Sequence, residues 1–139
     1  MNDSAIRELL QSSKSIAVVG LSGNPLRASF GVSQYMQSRG YKIFPVNPNE
    51  VEVLGERAFP SLDAFPGAVD IVNIFRRSEF VPDIVDAAIA KGARGVWMQQ
   101  GVIHREAAAK AESFGLLVIM DRCIGMEYRR LVRGSSSGG

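Results

Sequence analysis

Residues 15–31 read SIAVVGLSGNPLRASFG, and their order decides the fold. Residues 15–20 are an apolar run closing on Gly20, the pattern of a strand buried on both faces in a parallel sheet. Gly20, Ser22, Gly23 and Pro25 then mark a turn. Residues 29–39 read as a helix, with Val32, Tyr35 and Met36 on one face and Gly40 as the C-terminal stop. Strand, glycine turn and helix make the first half of a βαβ unit.

The rest of the chain repeats that alternation. Upstream, Ile6, Leu9 and Leu10 give a short amphipathic helix with Asp3 or Ser4 as N-cap. Downstream, residues 41–46 are a second strand ended by Asn47-Pro48, and Pro45 is expected to weaken its pairing. Residues 48–68 hold three of the six prolines and read as an irregular crossover with a short helix near Leu62. Residues 70–75 (DIVNIF), 95–98 and 116–120 are the third, fourth and fifth strands. Between them, residues 80–91 form a helix burying Val81, Ile84, Val85, Ala88 and Ile89 and stopped by Gly92. An Ala-rich helix spans 104–114, stopped by Gly115, and a last helix runs from Cys123 or Gly125 to Val132. The expected fold is α/β, a single doubly wound parallel sheet of about five strands with right-handed crossovers and helices on both faces. It spans residues 1–133, and the Gly/Ser run 134–139 is expected to be a disordered tail.

Composition narrows the function classes. The 139 residues are 46% apolar and 22% charged, as in an ordinary folded domain, and are expected to leave no room for a separate catalytic domain. A net charge of +2 is too balanced for a dedicated nucleic-acid surface. Twelve Arg against four Lys fit phosphate recognition or coding bias equally. The single Cys123 cannot form an internal disulfide, which fits a reducing compartment. No apolar run approaches the ~20 residues of a membrane span, and the start MNDS is no signal peptide. A cytoplasmic protein with no membrane or nucleic-acid partner is expected; a homo-oligomer or a protein partner stays open.

In a doubly wound sheet, ligands bind beyond the carboxyl ends of the strands, so the residues just after each strand are the ones to read. After the first strand, Gly20 permits close backbone approach, Ser29 is an N-cap or phosphate ligand, and Arg27 can pair with a phosphate. The same stretch also reads as a tight turn without ligand. Its glycines fall as G-x-x-G, which is not the dinucleotide fingerprint. After the second strand an NAD site places an acidic residue, whereas here Asn47-Pro48 stands, with Glu50 beyond the proline. That shifts the reading toward another adenine nucleotide, unless Asn47-Pro48 is simply a strand terminator.

The third strand is followed by Arg76 and Arg77, which either face an anion or are split between Glu79 or Asp83 and solvent. Gln99, Gln100 and Gly101 follow the fourth, and their amides suit a pantetheine arm. The fifth leads into Asp121-Arg122-Cys123, which places a thiol with a lowered pKa, or a small core residue, at this edge. His104, the only histidine, sits at a helix start and faces solvent or caps; Trp97 reads as core. No G-x-S-x-G elbow and no Walker A lysine motif occur.

The stretches SIAVVGLSGNPLRASFGV, YKIFPVNPN, DIVNIFRRSEFVP, GVWMQQGV and DRCIGMEYRRL, in this order, resemble the small stand-alone CoA-binding proteins. Their single Rossmann-like domain is similar to the N-terminal CoA-binding domain of the succinyl-CoA synthetase alpha subunit. The resemblance implies that Gly20, Ser22 and Asn24 form a phosphate loop and that Arg27 contacts the diphosphate or the 3′-phosphate of coenzyme A. It implies that Asn47 and Pro48 border the adenosine, and that Phe75 and Arg76 line the nucleotide or pantetheine path. Gln100 and Gly101 would border the pantetheine. Asp121-Arg122-Cys123-Ile124-Gly125 corresponds to the synthetase's Asn-Cys-Pro-Gly, which implies that Arg122 and Cys123 border the cofactor, in a segment whose sequence departs from that pattern. The synthetase's phosphorylated histidine belongs to a following domain, and His104 does not take its role. The resemblance therefore implies binding of coenzyme A or a short acyl-CoA, and no catalysis by this chain alone. The alternatives are an NAD(P)-binding oxidoreductase domain, a CoA-dependent redox sensor acting through Cys123, and a partner-binding domain with a vestigial pocket.

Overall fold

A computed structural model describes residues 2–133; the Gly/Ser run lies outside them. Five strands form one parallel sheet: β1 (Ser15–Val19), β2 (Lys42–Val46), β5 (Ile71–Ile74), β6 (Gly95–Met98) and β7 (Leu117–Ile119). Their spatial order is β2-β1-β5-β6-β7, every neighbouring pair parallel. A two-stranded antiparallel hairpin, β3 (Glu52–Val53) and β4 (Glu56–Arg57), stands apart. The chain reverses direction across the sheet between β1 and β5, the switch point at which ligands sit in this topology.

The period of two along each strand sorts the core into two layers. Ile16, Val18, Ile71, Trp97 and Ile119 point to one face, where they pack with α1 (Asp3–Ser12), α2 (Ala28–Ser38) and α5 (Ile124–Tyr128) through Ile6, Leu10, Met36 and Ile124. Ala17, Val19, Val72, Val96 and Val118 point to the other face. There they meet α3 (Val81–Ala90) and α4 (Arg105–Ser113) through Val81, Val85, Ala88, Ala108 and Ala111. Ala87 is buried in α3, while Ile84 and Ile89 are half-buried. Tyr41 spans the first layer, its buried hydroxyl donating to the Leu10 carbonyl, and burial pushes its pKa upward.

Four expectations of local structure are corrected. The cap of α1 is Asn2, whose Oδ1 accepts from the N–H groups of Ser4 at 2.7 Å and Ala5 at 3.3 Å. Asp3 is instead held by both terminal nitrogens of Arg130, at 2.9 and 3.0 Å. No helix forms near Leu62, because Pro60 and Pro66 leave too short a span between them; the segment makes single turns and buries Leu62 and Phe65. Pro45 does not weaken the β1–β2 ladder. Its carbonyl faces outward and accepts from the Phe59 N–H at 3.0 Å, so its missing donor belongs to the outer edge. Finally, the last helix is α-helical only to Tyr128 and continues over Arg129–Arg133 in wider π-type turns.

The Arg130–Asp3 fork ties the last helix to the first and lowers the Asp3 pKa, chiefly through the hydrogen bond to the guanidinium. A carboxylate whose pKa is depressed on folding adds stability above its unfolded value, and that stability is lost as pH falls through the folded value. Asp3→Asn is therefore expected to lower the melting temperature near neutral pH, with the difference from wild type closing in acid, below the ordinary carboxylate range. Thermal melts at both pH values check this; a difference that survives in acid would show that the fork is not its source.

Candidate functional site

Three loops meet at the carboxyl edge between β2, β1 and β5. The loop after β1 begins with Gly20 at φ +91°, its N–H donating to the Val46 carbonyl at 2.8 Å. A Cβ at Gly20 would stand 2.5 Å from the Phe75 carbonyl oxygen, so only glycine lets β1 leave the sheet this close to β5. Beyond it the loop is built by its own polar side chains. Ser29 Oγ accepts from the Ser22 N–H, Ser22 Oγ from the Asn24 N–H, and Asn24 Oδ1 from the Leu26 N–H, each at 3.0 Å.

Ser29 is accordingly not the N-cap that one reading of the sequence expects. Arg27 holds that position and offers no side-chain cap, so the first turn of α2 keeps uncapped N–H donors toward the loop. Such an end attracts anions. Arg27 itself is exposed.

The loop after β2 is folded back onto the first. Asn47 Nδ2 donates to the Leu21 carbonyl at 3.0 Å, and Asn47 Oδ1 accepts from the Asn49 N–H at 2.9 Å. This turn returns Glu50 to the site, where its Oε2 accepts from the Gly23 N–H at 2.7 Å. Glu50 thus comes to the site although it lies beyond Pro48 and outside the strand. The signal available was Asn47-Pro48-Asn49 itself, a turn whose first side chain bonds two residues on.

Gly20, Ser22, Arg27, Ser29, Asn47 and Phe75 line one cleft of about 460 Å³ together with Glu50 and Asn49. Pro48 and Arg76 line a neighbouring cleft of about 220 Å³ between the segment around Leu62 and α3. There the Arg76 guanidinium lies over the Phe80 ring, 4.4 Å from its centroid. Arg77 is exposed and loosely paired with Glu79 at 3.5 Å. Cys123 is half-buried at the start of α5 and lines a third cleft of about 330 Å³ with Val32, Tyr35 and Met126. Ala28 borders both the first and the third cleft, so the two adjoin at the start of α2.

Asn24, Gln100, Gly101 and Arg122 line none of these three clefts. Gln100 is exposed, and it is Gln99 that turns inward, donating to Asn73 Oδ1 at 2.9 Å. Gly101, at φ +84°, donates its N–H to Asp121 Oδ1 at 2.7 Å and so latches the fourth strand end to the fifth. Arg122 reaches toward Glu127 at 3.6 Å, while its carbonyl accepts from Trp97 Nε1 at 2.8 Å. His104 caps α4, its Nδ1 accepting from the Ala107 N–H at 3.1 Å. Among the described residues no cluster of three His, Cys, Asp or Glu could hold a metal, and no helix is long and apolar enough to cross a membrane.

Known proteins are similar to this chain in sequence and fold. The chain is 49% identical over 123 residues to the uncharacterized protein YneT of Bacillus subtilis, covering 88% of this chain and 91% of that one. It is 29% identical over 124 residues to the alpha subunit of an ADP-forming acetate–CoA ligase II of Pyrococcus furiosus, covering 81% of this chain and 27% of the subunit. A solved hypothetical protein of Pyrococcus horikoshii superimposes with a TM-score of 0.91 at 39% identity, covering 95% of this chain and 93% of that one. The family described as CoA binding domain matches residues 14–129. With that match across nearly all the described residues, the chain belongs to the CoA binding domain family.

Proposed function

We propose that this protein binds coenzyme A or a short acyl-CoA at the carboxyl edge of its sheet and acts as a binding module without chemistry of its own. The observation that carries the proposal is the β1–α2 turn. A glycine-tight strand exit and an uncapped helix start open on a cleft with Arg27 at its side, in a chain of the CoA binding domain family.

The diphosphate lies against the loop of Gly20, Ser22 and Asn24 and the first turn of α2, with Arg27 offsetting further phosphate charge. Ser29 supports the loop from beneath through its bond to Ser22. The adenosine lies beside Asn47 and Pro48, with Phe75 and Arg76 bordering the base. The pantetheine passes Ala28 into the apolar cleft that ends at Cys123, and Gln100, Gly101 and Arg122 shape that edge from outside. The single histidine, His104, caps α4 through Nδ1 and lines none of the three clefts.

Calorimetric titration of the full chain tests the reading. Saturable binding of CoA is expected, and a folded protein that takes up no CoA at millimolar ligand would overturn it. Arg27→Ala is expected to weaken binding about tenfold, the worth of one charge-assisted contact at an exposed position. Its affinity should also depend less on salt than the wild type's. Unchanged affinity and salt dependence would place the phosphates elsewhere.

A further inference from the structure

The cleft is not uniformly suited to phosphate. The uncapped start of α2 and Arg27 line it together with the Glu50 carboxylate. Glu50 lies flat on the loop. Its Oε2 accepts from the Gly23 N–H at 2.7 Å, and its Oε1 lies 2.9 Å from where a Gly23 Cβ would be. Glycine at position 23 is thus the residue that admits the carboxylate. The backbone of Glu50 is fixed as well, its N–H donating to the Asn47 carbonyl at 3.3 Å.

An ionised carboxylate is an acceptor only, with room for about four hydrogen bonds. A single backbone donor leaves most of that capacity unused in a residue that lines the cleft. A hydroxyl fills it, whereas a phosphate there meets a like charge. Doubly wound nucleotide sites place an acidic group near the end of the second strand for the ribose 2′-hydroxyl. Asn47 holds the strand-end position here, and the turn after it delivers Glu50 to the same loop three residues later.

We infer that Glu50 accepts the 2′-hydroxyl of the bound nucleotide's ribose and makes the site selective for adenosine phosphorylated at the 3′ position over adenosine phosphorylated at the 2′ position. The inference rests on the CoA reading, because it assumes that an adenosine bisphosphate occupies this cleft. It adds a discrimination that the uncapped helix and Arg27 cannot supply, since both attract either isomer. It also gives a reason for excluding the 2′-phosphorylated dinucleotide on charge alone.

Two isomers of equal charge separate these terms. Adenosine 3′,5′-bisphosphate and adenosine 2′,5′-bisphosphate would be titrated, alongside CoA, into the wild type and Glu50→Gln. The amide oxygen of glutamine can still accept from Gly23, so the loop is expected to keep its shape, which a thermal melt verifies. The wild type should favour the 3′,5′ isomer by about tenfold or more, as like-charge rejection requires. Glu50→Gln should bring the two isomers to within about threefold, mainly by admitting the 2′,5′ isomer. Equal affinities in the wild type, or an undiminished preference in Glu50→Gln, would overturn the inference. If CoA binds while the isomers are not distinguished, the CoA reading stands and only the role of Glu50 falls. If CoA and both isomers fail to bind, the CoA reading falls and this inference falls with it.

Discussion

Gly20→Ala is expected to cost the protein about 2–5 kcal/mol and to weaken CoA binding at least tenfold. Two penalties add. The left-handed backbone at φ +91° costs an L-residue roughly 1–2 kcal/mol. The new Cβ would also stand 2.5 Å from the Phe75 carbonyl oxygen and 3.0 Å from Arg76 Cδ. The arginine stem can move, but the carbonyl cannot easily do so. The N–H of Phe75 donates to the Val19 carbonyl at 2.8 Å, which fixes the end of β5 beside the end of β1. Forcing the two apart adds about 1–3 kcal/mol, and the sum is roughly 10 °C in melting temperature for a domain of this size.

The same displacement shifts the loop that carries Ser22 and the start of α2, so affinity for CoA should fall at least tenfold. Gly115→Ala is the control. Gly115 shares the positive φ, at +88°, but no atom lies within 4 Å of its added Cβ, so only the backbone penalty of roughly 1–2 kcal/mol remains. Equal melting temperatures for the two variants would show that the contact with Phe75 contributes nothing.

The residues that made the fold readable are those whose signals are local. The apolar run at 15–20 marks β1, and Gly40, Gly92 and Gly115 mark the helix stops, each at positive φ where a C-terminal turn needs it. What the sequence hid was set by distant contacts or by unusual turn residues. Asp3 lost the capping role to Asn2 because its carboxylate is claimed by Arg130, 127 residues away. The hairpin of β3 and β4 turns on Leu54 and Gly55, both at positive φ. That pair lacks the Asn or Asp that announces such a turn.

The site divides in the same way. Gly20, Ser22, Arg27, Ser29, Asn47 and Phe75 were legible because topology alone sends the ends of β1, β2 and β5 to one place. The resemblance implies a role for Gln100, and strand parity works against it. Parity carries Gln99 inward to Asn73 and turns Gln100 out. Glu50 needed the fold of the Asn47 turn, which brings it to Gly23.

Trp97 is where core and edge are joined, and its truncation should have the largest effect on stability. The indole is fully buried in β6, and its Nε1 donates to the Arg122 carbonyl at 2.8 Å. Trp97→Ala removes the biggest fully buried side chain among the described residues and leaves that carbonyl unpaired. A loss of about 3–5 kcal/mol is expected, or roughly 10–20 °C in melting temperature. Trp97→Phe separates the two contributions. It keeps most of the apolar volume and loses the hydrogen bond, so about 1–2 kcal/mol should go.

The phenylalanine variant also reports on the edge. Arg122 precedes Cys123, and two bonds pin the Arg122 backbone: the indole bond to its carbonyl, and its own N–H to the Met98 carbonyl at 3.3 Å. With the stronger pin removed, the half-buried Cys123 thiol should react faster with a soluble disulfide reagent, at a temperature where the fold is intact. If Trp97→Phe is destabilised but Cys123 reacts at the wild-type rate, the indole holds the core without holding the segment that leads to the third cleft.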